Sequence, residues 1–421
     1  MGSLKWTCIF LNQPILPLIE TNLFNQMFRE ENNMRIRRTV NFVLALVFAL
    51  SISITQGVQA APLQSRRGGD VAAYPRACPG PDAPGDTHCY ARLSPNASTS
   101  PTGLSPTTIK AAYNFSTSMT AGVGKTIAIV DAYDDPTAEN DLNVFSTKFG
   151  IPACTTSNGC FTKVSQSGTK RYPRTNSGWA LEISLDVQWA HAIAPGAKIL
   201  LVEASSASFS NLLTAEDYAA AHASYVSNSW GGSEFSGENT YDSHFVHTGV
   251  SFFVSSGDGG LPAEYPSASP NVISVGGTTL HFDSSGNFTS ETGWSSGGGG
   301  CSSYETATPA QSGFGGYGQV NCAGKRATPD VSLDADPASG VSVYDSTAYS
   351  GQKGWFQVGG TSASSPLWAG RAADAGVLVN ASYVYGSSIT YRDITAGNNG
   401  ASCLSGFDLC SGRGSWTGVT P

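Results

Sequence analysis

The sequence predicts an α/β fold with a central, mostly parallel sheet and helices on both faces. Several short, almost wholly apolar runs stand at 126–130, 198–203 and 250–256, the last of them ending in a glycine-rich loop. Runs without polar alternation suit strands buried on both faces. Helical patterns alternate with these runs, which is how crossovers between parallel strands read in sequence. The chain has 421 residues, 40% of them hydrophobic and only 13% charged, which is enough for a large core.

The first 60 residues lie outside this fold. Met34 to Arg38 is basic, residues 40–54 are apolar apart from Asn41 and serines, and Val58-Gln59-Ala60 gives a small-x-small cleavage pattern. This reads as a secretory signal over 34–60, too short for a membrane span, and 1–33 are expected to be an upstream mis-start. The mature protein is therefore expected to be secreted, without stable membrane association, and monomeric. Residues 61–103 are rich in Pro, Gly and Ser and read as a loop-rich lead-in or propeptide remnant. The organised domain runs from 104 to 421. It opens on a short helical pattern from Ser105-Pro106 through Tyr113.

Residues 126–130 form a central strand ending at Asp131, where α/β sites gather. Residues 177–192 read as a helix, followed by strands at 198–203 and 224–229, the latter ending in Trp230-Gly231-Gly232. The strand at 250–256 ends in Gly257-Asp258-Gly259-Gly260, and 272–275 precedes a further Gly-Gly. The glycines of 293–301 lack the GK[ST] of a phosphate loop and are expected to allow close approach of an extended ligand. Nine cysteines are present, and Cys8 falls before the signal. The other eight read as disulfides of an exported chain. Their proximity favours Cys78 with Cys89, Cys154 with Cys160, Cys301 with Cys322 and Cys403 with Cys410, although spacing alone leaves the connectivity open. The net charge is −8 with no basic stripe, so no nucleic-acid partner is expected.

Three places carry chemistry. In Gly359-Gly360-Thr361-Ser362 a sharp turn leads into an apolar helix, leaving Ser362 beside free N–H groups suited to a developing oxyanion. Glu182 and Asp186 stand four apart on one helix face among Ile183, Leu185, Val187 and Trp189, with no Lys or Arg partner. Asp258 lies in a glycine loop after a strand. A histidine-based triad would be Asp131, His191 and Ser362. However, His191 stands nine positions beyond Glu182, about two and a half turns, hence on the opposite helix face.

The combination of an ExxxD pair on a helix, SGDxG after a strand and GTSxxxP, in this order, resembles the sedolisins, the serine-carboxyl peptidases of subtilisin-like fold. The resemblance covers about 104–421. It implies an enzyme, a secreted serine-type endopeptidase acting on polypeptides in acid, with Glu182 as general base, Asp186 as its partner, Asp258 as oxyanion donor and Ser362 as nucleophile. It also implies one structural calcium ion. Asp393 and Asp408 would bind it through their side chains, and Ile394, Leu404 and Gly406 through their carbonyls. Two alternatives stay open: the histidine-based triad, and a catalytically inactive binding protein of the same fold.

Overall fold

The computed structural model describes residues 74–80, 87–94, 96–386 and 389–418. The expected signal and upstream segment lie outside these residues. In chain order the strands that position the site are β1 (His88–Cys89), β2 (Arg92–Leu93), β3 (Thr126–Ala132), β4 (Phe161–Ser165), β5 (Lys198–Ala204), β6 (Tyr225–Asn228), β7 (Trp230–Ser233), β8 (Ser251–Ser255), β9 (Glu264–Tyr265), β10 (Ile273–Phe282), β11 (Phe288–Gly293), β12 (Gly300–Thr306), β13 (Lys325–Thr328), β14 (Val331–Asp334), β15 (Val341–Tyr349) and β16 (Gln352–Gly359). The helices are α1 (Pro106–Tyr113), α2 (Ala138–Phe149), α3 (Ser177–Ile193), α4 (Phe209–His222) and α5 (Thr361–Ala375).

The central sheet runs β11-β10-β8-β6-β3-β5-β4, with β14 also paired to β10. All its pairings are parallel except β10 with β11 at the edge. Strand β3 is buried from Ile127 through Ala132, which explains its unbroken apolar sequence. Helices α3 and α5 pack on each other and on the strands, α3 on β3 and α5 on β6, β8 and β10. Helix α4 covers β3, β5 and β6 from the face they leave. The result is the α/β, subtilisin-like architecture.

Helix α3 begins at an Asn176 cap whose side chain accepts from Gly178 and Trp179 N–H. Nearly every residue after that cap is buried, the acids Glu182 and Asp186 included, so α3 is a core helix. Helix α5 starts after Gly360, at φ 90°, a backbone position that glycine occupies without strain.

Three sequence expectations are revised. Asp131 lies within β3 rather than just past its end. The Gly276-Gly277 pair that followed the expected strand at 272–275 is inside β10, where side chains would collide with Pro329 at 2.6 Å and Ala335 at 2.7 Å. The glycines of 293–301 approach the protein's own backbone rather than leaving room for a ligand. A Cβ on Gly298 would stand 2.1 Å from Ser256 O, and one on Gly299 2.2 Å from Leu409 O. All four expected disulfides are present.

Candidate active site

Helix α3 presents Glu182 and Asp186 beneath the start of α5, and both are fully buried. Glu182 Oε2 accepts from Ala91 N–H at 2.9 Å, while Oε1 has no partner among the described residues. Burial, then the nearby Asp186, pushes the Glu182 carboxyl well above the usual range, and the neighbouring Ser362 hydroxyl and the Ala91 N–H pull the other way. Asp186 Oδ1 accepts from the Ser229 hydroxyl at 3.0 Å, and Oδ2 is unpartnered. Its carboxyl too is raised by burial, and the Ser229 bond opposes this. The two acids share one apolar site and titrate together.

Ser362 is the second residue of α5 and has no exposed surface. Its hydroxyl faces both Glu182 and Ser229 O, the latter at 3.4 Å. Ser229 bridges the pieces, since its hydroxyl also reaches Ser362 O at 3.3 Å.

Asp258 follows β8. Its Oδ1 accepts from Thr361 N–H at 2.8 Å and Thr361 Oγ1 at 3.0 Å, and Oδ2 pairs with Arg92 Nε at 3.0 Å. Burial raises this carboxyl, and Arg92 is the largest influence pulling it back. The four residues expected from the sequence are therefore brought together from two helices and one strand end.

Asp131 stands against the same acids. It is fully buried, both its oxygens lack partners, and burial followed by the Asp186, Glu182 and Glu203 charges drives it upward. His191 does not join them. Its Nε2 bonds to Pro152 O at 2.8 Å, on the face of α3 toward the Cys154–Cys160 disulfide, and burial pushes it down to about 4. The histidine-based triad therefore has no base within reach of Ser362.

Sequence reading missed what occupies the cleft. Residues 74–78 and 89–93 form a hairpin joined by Cys78–Cys89, with Ala77 N–H on Ala91 O at 2.8 Å. Its two sulfurs and a Glu182 oxygen lie within 4.8 Å of one another. Strand β1 pairs with β7, and β2 with β16, so the hairpin is stitched to both walls. Ser229 and the glycines after it were visible as a strand end. Nothing in the polar lead-in marked Ala91 or Arg92.

Of the candidate metal residues, Leu404, Gly406 and Asp408 lie on the loop closed by the Cys403–Cys410 disulfide, and Asp393 bonds to that loop from outside it. Asp408 is buried, which raises its carboxyl, and no cationic side chain is among its partners. Its Oδ2 accepts from Leu404 N–H at 2.6 Å, and Asp393 Oδ2 accepts from Gly406 N–H at 2.9 Å. Asp393 and Asp408 thus both bond the 404–406 turn, and carboxylate oxygens are hard ligands of the kind calcium takes. The contacts of Leu404 and Gly406 with these acids run through their N–H groups.

Residues 167–382, just over half of the chain, match the model of the subtilase family. The chain belongs to that family. Within it the chain stands with the sedolisins. It is 31% identical over 372 residues to kumamolisin of Bacillus sp. (strain MN-32), an alignment covering 76% of this chain and 63% of that protein. It is 32% identical over 200 residues to sedolisin of Pseudomonas sp. (strain 101), covering 39% of this chain and 32% of that protein. The chain thus spans less than two thirds of the length of these relatives. Among solved structures it is similar to Pseudomonas sedolisin, a serine-carboxyl proteinase complexed with two molecules of pseudo-iodotyrostatin. The TM-score is 0.63 and the identity 26%, over 75% of this chain and 96% of that one.

Proposed function

We propose that this sedolisin-type chain is a secreted serine-carboxyl endopeptidase that hydrolyses peptide bonds of polypeptides in acid. The observation that carries this is the convergence of Ser362, Glu182, Asp186 and Asp258 in one buried site. Ser362 Oγ attacks the scissile carbonyl while Glu182 takes its proton. The C–O bond forms and the carbonyl π pair moves onto oxygen. Asp258, protonated, donates to that oxyanion. Glu182 then returns the proton to the leaving amine as the C–N bond breaks, and a water repeats the cycle on the acyl-serine. Asp186 shares the pair's proton and holds Glu182 in place. Only acid leaves Asp258 protonated, so the chemistry fails as pH rises.

Four disulfides accord with an exported chain, and no helix of the described residues is long and apolar enough to cross a membrane. The protein is taken to act as a monomer. One calcium ion is assigned to the Asp393 and Asp408 carboxylates, with the Ile394, Leu404 and Gly406 carbonyls completing the shell. It would hold the last loop in place and has no part in the reaction. Calcium should raise the melting temperature and a chelator lower it. Identical melts in both would remove the ion.

The deciding experiment is a pH–activity profile on an unfolded protein, with Ser362→Ala as control. Cleavage confined to acid and abolished in the control is expected. A maximum at neutral pH in folded protein would overturn the reading.

A further inference from the structure

At the opposite end of β8 from Asp258, Val246, Pro270, Pro309 and Leu378 line a groove of about 540 Å³. Val246 is 62% exposed and Leu378 46%, so the groove opens two large apolar side chains to water. The segment carrying Leu378 is pinned there, because Val379 N–H donates to the hydroxyl of Ser251, the first residue of β8, at 2.8 Å. Ser362 opens α5 and Ala375 ends it. At about 1.5 Å of rise per residue, that helix alone separates the groove from the nucleophile by about 20 Å.

Asn380-Ala381-Ser382 borders the same groove and reads N-x-S, the acceptor pattern for N-linked sugar. Asn380 and Ser382 are both exposed. Asn380 Oδ1 accepts from Tyr383 N–H at 2.9 Å, which caps the short helix Ala381–Gly386. Its Nδ2, the atom that takes a sugar, has no partner among the described residues. A glycosylated amide keeps its carbonyl oxygen, so this cap survives the modification. The pattern also stands at Asn96, Asn114 and Asn287, all exposed. At Asn287 the corresponding nitrogen is committed, donating to Asp283 Oδ2 at 3.0 Å. Asn380 combines a free nitrogen with an apolar groove for the sugar to cover.

We propose that Asn380 is N-glycosylated and that its first sugars lie along the groove over Val246 and Leu378. In the transfer, Nδ2 bonds to C1 of an oligosaccharide carried on a lipid diphosphate. The C1–O bond breaks, its electron pair leaves on the diphosphate, and Nδ2 gives up one proton. A pyranose ring shows C–H groups on its faces and hydroxyls at its rim, so it covers apolar carbon and keeps the surface wet. Left bare, such a patch favours association between copies of the chain. The proposal rests on the export half of the reading above and not on its peptidase half.

The full chain is made as Ser362→Ala with its own signal in a eukaryotic secreting host. Its tryptic peptide 372–392 contains Asn380 and no other asparagine. Peptide N-glycosidase in ¹⁸O water should convert position 380 to labelled aspartate, and Ser382→Ala should abolish the label while Ser382→Thr keeps it. A secreted chain with bare Asn380 would overturn the proposal. A chain retained in the cells is a failure of the export reading. It is then sent out on a foreign signal peptide, and the same digest decides. Covering of the groove is read by the fluorescence of an apolar dye. Ser382→Ala should raise it, Ser382→Thr should not, and adding Leu378→Ser to Ser382→Ala should bring it back. A dye signal unmoved by Ser382→Ala would overturn the packing of sugar on the groove. In the chain with Ser362 intact, Ser382→Ala should leave kcat unchanged.

Discussion

The assignment of roles turns on which acid can reach Ser362. Glu182 can, and His191 points to Pro152 O from the other side of α3. Glu182→Gln keeps the shape and removes the base, so kcat should fall by roughly 10⁴, the scale seen when a member of a catalytic unit is lost. His191→Ala should leave kcat near the parent value while lowering stability, because it hollows a fully buried site. Measuring kcat and melting temperature for both separates the effects, and a crippled His191→Ala beside a healthy Glu182→Gln would reverse the assignment. These residues were legible in the sequence because their surroundings are unusual. Two carboxylates without a basic partner in an apolar helix have no structural explanation in a solvated face. Arg92 was not legible, because an arginine in a Pro/Gly-rich lead-in says nothing of the partner it finds across the fold.

At the scale of elements, the parallel strands and α3 were readable because each buries continuous apolar sequence. The hairpin was not, since β1 and β2 are two residues each and exist only by pairing with β7 and β16. Its presence gives the full chain a closed cleft. The Arg92 pair requires an ionised Asp258. Burial raises that carboxyl, and Arg92, Thr361 and more distantly Arg76 lower it. The sign follows: the raised pKa means Asp258 takes up its proton at a higher pH than an ordinary carboxyl, which removes the ion pair and weakens the hairpin's hold. The same protonation readies Asp258 to donate to an oxyanion. Activity of the full chain should therefore appear after a lag on acidification, and Arg92→Leu or reduction of the Cys78–Cys89 disulfide should shorten it. Progress curves would show this, and a lag unchanged in both would mean the hairpin does not govern access.

For the molecule as a whole, the low charge content hides a set of buried carboxyls whose neutral form is favoured by burial. Burial is the leading cause in each case. It lifts Asp135 to about 6, Glu305 to about 7, Glu203 and Glu216 to about 8, and Glu238 and Asp345 to about 9. A raised folded-state pKa means the native chain holds protons that the unfolded chain releases near pH 4 to 4.5. The stabilisation is complete below that range and drains away as pH climbs through 6 to 9, the reverse of the usual salt-bridged carboxylate. Glu203 is partly compensated by Lys163 at 3.2 Å, so it should contribute less of the loss than Glu238 or Asp345, whose buried oxygens Oε1 and Oδ2 lack partners. The melting temperature of a Ser362→Ala chain, which cannot digest itself, should be highest in acid and fall continuously toward pH 9. Asp345→Asn, which keeps the shape and cannot ionise, should flatten the upper part of that fall. A melting temperature that rose from pH 5 to 8, or an Asp345→Asn profile parallel to the parent, would mean these acids are ionised in the native protein. The restriction to acid would then reside in the catalytic carboxyls alone.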